Sequence, residues 1–357
     1  MTPPPFIGGH RRAPGSTIIG AHRTAPKPPV PIAKPRLLKQ IVAGNIQSID
    51  DASGNGASPV WIVTLTSKDA ADQHDRLVVK EEKQFVNAAG KHIGAFARGN
   101  IDAMNYVMTT VSPTAVMEVL EPTENLALDT FSGRPDNLSR AARQAWEGTR
   151  LLLKMKFDPR FYAGSNKPVD DKPYAMDEND RAKATHLLNG LRANVRAWQT
   201  LGQVVIADNL IGNYDRIAFE SWEVTNFGNL IFSRDSSGNI THALGYDAVD
   251  PSSTLEKLLF GTNIDWWKAN FGQYIKEKHT FLAASQRVIN HINRHRMEPL
   301  GLAPFGRNVT ANEVRYFEQG LVIGWDKLAN AIGVKVRSGK AIPSGLMARA
   351  RYLGWVR

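Results

Sequence analysis

Cysteine is absent from the 357 residues. This excludes a disulfide framework, a zinc–thiolate site and a catalytic thiol. Acidic residues are missing from the first 49 positions, Asp50 being the first. No apolar run approaches the roughly 18–20 residues that span a bilayer, and the N-terminus lacks the apolar core of a Sec signal peptide. There is no internal repeat. The pair His291/His295 has helical i, i+4 spacing, but no Glu stands beside it in the zincin manner, and Arg294 and Arg296 oppose a cation there. It reads as a solvated basic helix face.

The formal net charge is +10, yet Arg11, Arg12, Arg23, Lys27, Lys34, Arg36 and Lys39 leave only +3 for the remaining 317 residues. A body this mildly basic predicts no specific nucleic-acid partner, which would need a basic face on the body itself. Nine of the 20 prolines fall within residues 1–36. Such a segment cannot bury enough surface to offset its ordering entropy, so disorder or polyproline II is expected. Its composition resembles bacterial type III-like secretion leaders. A secreted effector acting in a host cell is the localisation this implies, a cytoplasmic protein the alternative. The C-terminal cations Lys335, Arg337, Lys340, Arg349, Arg351 and Arg357 read as a solvated surface, open to peripheral contact with an anionic membrane or an acidic partner.

From Leu37 the pattern is strand, strand, strand, helix, strand, then mostly helices. Strands are expected at 41–49, 60–65, 77–79 and 115–120, where Val, Ile and Thr concentrate. Helical spacing of apolar residues marks 84–111, broken near Gly99-Asn100, and then 136–155 and 178–200. Further helices are expected at 253–260, 266–275, 279–296, 310–333 and 343–353. The fold class is α+β, with residues 37–122 as a β-rich lobe and 123–357 as a mostly helical one.

The stretch Leu201–Asp250 carries the chemistry. An apolar helix ends at Gly212-Asn213, and Asp215 and Arg216 follow in a polar turn. Two short apolar runs, from Asn229 and from Ile240 to Leu244, flank Ser236-Ser237-Gly238-Asn239, a hairpin-turn signal. A turn centred on Ser237 and Gly238 sets Asn229 across from Tyr246, next to Asp247. Asp215, Asn229 and Asp247 would then gather hard oxygen ligands of the kind Mg²⁺ takes.

In this order, Asn213-Tyr-Asp215-Arg216, Gly228-Asn229 and Asp247 resemble the actin-fragmin kinase family, an atypical protein-kinase branch related to the phosphoinositide kinases. About 50 residues carry the likeness. It implies a bilobal protein-kinase-like fold and an ATP- and Mg²⁺-dependent phosphotransferase, most simply a protein Ser/Thr kinase acting on a protein substrate, such as a host protein. A phosphoinositide or inositol kinase and a pseudokinase binding module are the alternatives. By this likeness Asp215 accepts or orients the substrate hydroxyl proton, and Asn229 and Asp247 bind Mg²⁺. Asn226 and Asp250 are their respective rivals. Arg216 either structures the loop or contacts substrate. Asp208, on the preceding helix, is expected to anchor the loop.

For residues 37–122 the resemblance extends only to strand order and one Lys. It implies that Lys80, which ends the third strand, pairs with the phosphates. No Glu lies between Glu82 and Val116, so Asp102 is the one carboxylate there to partner it. Gly54 and Gly56 occupy the position of a phosphate loop, where a plain turn fits equally well. Met117 and Glu118 occupy the position of an adenine hinge. Because the first 36 residues are expected to contribute no core, deleting them should shift the melting temperature by less than about 2 °C; calorimetry on the truncated chain checks this.

Overall fold

The computed structural model describes residues 38–52, 59–66, 75–82, 94–112, 116–157, 161–163, 178–245 and 264–357. The chain divides into two units, 1–36 and 37–357, and every described residue belongs to the second. The leader, the turn holding Gly54 and Gly56, the segment holding Asp247 and Asp250, and the helix expected at 253–260 lie outside the described residues.

Strands β1 (Ile46–Asp51), β2 (Val60–Leu65), β3 (Asp75–Glu82), β4 (Met117–Val119) and β5 (Leu151–Lys156) form one antiparallel sheet in the order β1-β2-β3-β5-β4. The first strand starts later than expected. Residues 43–45 make a 3₁₀ turn in which Asn45 Oδ1 accepts from the Val42 amide at 3.0 Å. Strand alternation gives each sheet face its own partner. Trp61, Val63, Leu77, Val79 and Leu152 face the helices α2 (Pro122–Thr130) and α3 (Asp136–Trp146) in one apolar cluster. Met117, Leu151, Leu153, Met155 and Val78 join a larger cluster that includes the inner face of α1 (Gly94–Val111). No break interrupts α1 at Gly99-Asn100, and Asn100 is fully buried.

Strand β5 corrects two expectations. Residues 136–155 are not one helix: α3 stops at Trp146, Gly148 takes φ +78°, and the chain returns as a strand between β3 and β4. The run Leu-Leu-Leu-Lys-Met-Lys holds no β-branched residue, so propensity alone favoured helix. The sheet therefore continues to Lys156, well past the boundary expected at 122.

A buried polar knot fastens this region. Lys154 Nζ, 1% exposed, lies 2.7 Å from Glu124 Oε1, 3.5 Å from Glu118 Oε2, and donates to the Lys39 carbonyl at 3.0 Å. Glu124 is fully buried and also accepts from the amides of Ile41 and Glu121, each at 2.9 Å. Its carboxylate thus ties the entering chain, the start of α2 and β5 together.

The helical half is built on α5 (Val195–Ile211), which is separate from α4 (Glu178–Leu191). The single helix expected at 178–200 breaks where Ala193 adopts φ +50° and Asn194 caps α5 by accepting from the Ala197 amide at 3.0 Å. From Leu201 to Ile211 every residue of α5 is buried. Around it lie α6 (Asp265–Trp267), a π turn (Lys268–Gly272) and α7 (Gln273–Ile275). Next come α8 (Phe281–Ile292), its π extension Asn293–Met297, α9 (Asn312–Arg337) and α10 (Ser344–Tyr352). Beside α5, β9 (Ile231–Arg234) pairs with β10 (Ile240–Leu244) and with β6 (Phe161–Ala163).

The α5–α9 crossing is made by glycine. A Cβ on Gly320 would lie 2.3 Å from the Gln199 carbonyl oxygen, and one on Gly202 would lie 2.5 Å from that of Phe317. Backbone meets backbone there, so no side chain can turn aside. Gly320→Ala should therefore cost about 1–3 kcal/mol by overpacking, while Gly44→Ala, whose Cβ meets nothing within 4 Å, should be near neutral. Urea denaturation of the two variants checks the contrast.

Candidate functional site

The C-terminus of α5 delivers the candidate loop. Gly212 ends the helix at φ +85°, and the amides of Gly212 and Asn213 bond the Asp208 carbonyl at 2.9 and 2.8 Å. Only a residue tolerant of the left-handed region closes a helix this way without strain. Arg349, from α10, donates to the Leu210 carbonyl at 2.6 Å and lies over the Trp267 ring at 5.3 Å. A cation at this end also suits the helix dipole. Burial pushes the Arg349 guanidinium down to about 9, which leaves it charged at neutral pH.

Beneath the loop, Asp208 and Arg216 form a direct ion pair, each 1% exposed. Asp208 Oδ1 also accepts from Asn213 Nδ2 at 2.9 Å, and Arg216 Nε donates to the Asn229 carbonyl at 2.8 Å. Burial pushes the Asp208 carboxyl above its ordinary range, and the adjoining Arg216 charge and hydrogen bond pull against it. Of the two roles open to Arg216, this geometry is that of loop structuring. The side chain is buried, 1% exposed, and faces Asp208 and the Asn229 carbonyl. Asp208 anchors the loop as expected.

Above this pair stands Asp215, half-buried. Its amide donates to Asn213 Oδ1 at 2.9 Å, and its Oδ2 accepts from Asn229 Nδ2 at 2.6 Å. Asn226 Nδ2 approaches Oδ1 at 3.5 Å, while Asn226 Oδ1 accepts from the Gly228 amide at 3.0 Å. Asp215 and Asn229, 14 residues apart, are thus brought into contact, and the rival Asn226 flanks the same carboxylate. Between them the chain makes a small hairpin, β7 (Ile217–Ala218) and β8 (Glu223–Val224).

The β9–β10 hairpin forms, and its register shifts by one residue between Ile240, which pairs with Arg234, and His242. Leu244 pairs with Ile231, and Asp235 Oδ1 accepts from the amides of Ser237 and Asn239, each at 2.9 Å, with Gly238 at φ +83°. The Gly245 amide then reaches Ser112 Oγ at 3.2 Å, joining the strand's end to the end of α1. Asp247 lies two residues beyond, outside the described residues.

Lys80 is half-buried on β3, and strand parity sets it on the face shared with Val78 and Leu153, the face α1 covers. Asp102 is on α1 with its side chain exposed. Met117 and Glu118 are not placed as a nucleotide hinge. The Met117 amide and carbonyl are both engaged by the Asn105 side-chain amide, the former at 2.9 Å. Glu118 binds Lys154 and accepts from the Leu38 amide at 3.1 Å. With β5 returning to the sheet, the chain leaves it at Phe157 instead. Sequence reasoning missed the Lys154–Glu124 pair and the Arg349 cap, because both join elements far apart in the chain and have no local signature.

Among the described residues, no group of three or more His, Asp or Glu could hold a metal, and no helix is long and apolar enough to cross a membrane. No family model matches the chain, and no curated protein is significantly similar to it. Removing Asp208 would leave the Arg216 charge buried without this counter-ion, so Asp208→Ala should destabilise the fold by about 3–5 kcal/mol, measured by denaturant titration.

Proposed function

We propose that the protein is an ATP- and Mg²⁺-dependent phosphotransferase with a bilobal protein-kinase-like fold, transferring phosphate to a Ser or Thr hydroxyl of a protein. The contact between Asp215 and Asn229 at the end of a buried helix carries this reading. Three features support it further. The sheet has the order β1-β2-β3-β5-β4, with α1 between β3 and β4. Lys80 stands on the face that α1 covers. A hairpin follows Asn229 and ends at Gly245, two residues before Asp247.

The residues fit the metal by donor chemistry. Mg²⁺ in such sites takes one or two protein oxygens and completes its shell with phosphate oxygens and water. Asn229 turns Nδ2 toward Asp215, which directs Oδ1 away from that carboxylate. Asn229 Oδ1 and the Asp247 carboxylate would hold the ion, whose charge offsets that of the phosphates.

The chain's own residues orient the reaction. The substrate hydroxyl oxygen bonds to the γ-phosphorus as the bond to the β–γ bridging oxygen breaks and ADP departs. The hydroxyl proton passes to an Asp215 oxygen. Asn229 and Asn226 fix the carboxylate's orientation, and the buried Asp208–Arg216 pair fixes the loop that carries it. Lys80 would bind the phosphates. Positioning of this kind suits phosphoryl transfer, in which the protein does little covalent chemistry.

Asp215→Asn removes the acceptor with little change in shape. Phosphate transfer from radiolabelled ATP should fall by about 10²–10⁴-fold, with the melting temperature shifted by less than about 3 °C. Equal transfer by wild type and variant would sink the reading, and transfer to lipid vesicles but to no protein would move it to a lipid kinase.

A further inference from the structure

Two hydroxyls hold the β9–β10 hairpin from outside its own sheet. Among the described residues β10 is an end strand, in the order β10-β9-β6. Outward amides of an end strand ordinarily meet water or another strand. Here the Ala243 amide donates to Thr200 Oγ1 on α5 at 2.7 Å, and the Gly245 amide to Ser112 Oγ at 3.2 Å. The two amides are two residues apart and so lie on one side of the strand. Ser112 is 4% exposed, Gly245 is buried, and the Ser112 amide extends α1 by donating to the Met108 carbonyl at 2.7 Å. Helix α1 is itself secured where it offers this hydroxyl. Seven residues earlier, nearly two turns back and on the same side, Asn105 engages both backbone groups of Met117 on β4. From Ser112 the path to the loop runs through described residues. Leu244 pairs with Ile231, which lies two residues after Asn229, and Asn229 Nδ2 donates to Asp215 Oδ2 at 2.6 Å.

We infer that Ser112 is a positioning residue of the proposed site: by holding the end of β10 it sets where Asn229 stands against Asp215. The inference rests on the phosphotransfer reading. Ser112 acts through Gly245, Leu244 and Ile231 and touches none of the reacting atoms. Thr200 alone would tether the strand at one point, about which its end could swing. A second tether two residues on fixes the strand's direction as well. A buried amide that loses its acceptor is costly to leave in place, so without the Ser112 hydroxyl the strand end would turn to find another. Residues behind metal-binding side chains hold those side chains in their geometry, and their loss is read as lost metal affinity.

The test uses the full chain and reads the binding of ADP by calorimetry, which needs no turnover. In Ser112→Ala the Mg²⁺ concentration that half-saturates ADP binding should rise about fivefold, the worth of one neutral hydrogen bond. Amide hydrogen exchange should quicken both at 240–245 and at 226–231. Ser112→Thr, which keeps the hydroxyl, should restore most of both. Thr110→Ala removes a hydroxyl from the same end of α1, where it bonds the Tyr106 carbonyl at 2.7 Å, and should leave the Mg²⁺ midpoint within about twofold. If Ser112→Ala no longer unfolds cooperatively, Ser112→Cys, close in size but a weak acceptor, takes its place with the same expectation. An unchanged midpoint in the Ser112 variant overturns the inference, as does an equal rise in Thr110→Ala or an equal loss of ADP binding with and without Mg²⁺. If the wild type neither binds ADP with Mg²⁺ nor transfers phosphate, the phosphotransfer reading fails, and hydrogen exchange decides the link alone. Faster exchange at 226–231 in Ser112→Ala sustains it, and unchanged exchange there overturns it.

Discussion

The pairing of Asp208 with Arg216 is the interaction on which the loop depends. Two opposite charges withdrawn from water are seldom a net gain in stability, since desolvation roughly cancels their attraction. What the pair supplies is geometry. Asp208 belongs to the last turn of α5, Arg216 to the loop, and the Arg216 Nε bond reaches the Asn229 carbonyl at 2.8 Å. Three stretches of chain are thereby fixed about one guanidinium, and the residues at the surface inherit their positions from it. Asp215 stays half-exposed because its neighbour Arg216 is buried.

The sheet half obeys the same rule. Lys154 of β5 and Glu124 in the first turn of α2 meet where an apolar pair could have packed, and their bonds run outward to Lys39, Ile41, Glu118 and Glu121. The entering chain has no strand partner at this point, so a carboxylate takes its amide. The α2–α3 pair, inserted between β4 and β5, covers one face of the sheet and leaves the other to α1 and the proposed site. One sheet thus serves two cores.

What the sequence made legible was local. Gly212-Asn213 with Asp215 and Arg216 after an apolar run marked a helix end and a loop, and Ser236-Ser237-Gly238-Asn239 marked a hairpin, though not its register shift between Ile240 and His242. Asp215 and Asn229 could be brought together from these two signals alone. Where pairing across the chain decided the outcome, local signals misled. Leu151–Lys156 is built of helix formers yet is a strand, because β3 and β4 flank it and its side chains enter both cores. Residues 192–194 break a helix through Asn194, a cap indistinguishable in sequence from any interior Asn. Met117 and Glu118 had the order of a hinge, but the bonds of Asn105 and Lys154 cannot be read without the fold. Asp247, Gly54 and Gly56 remain expectations from sequence.

The glycine contact between α5 and α9 has a mechanical consequence. Helices that touch through side chains can slide by changing rotamers, whereas helices seated backbone on backbone move only as one body. Gly202, Gly320 and Gly324 remove the slack from this crossing, so α9 is a rigid rail for α5. At Gly212 the left-handed residue turns the chain off this rail, and the Asp208–Arg216 pair ties the loop back to it. The loop that carries Asp215 is therefore hung from a helix that cannot slide, so a shift of α9 would move it only by carrying α5 along.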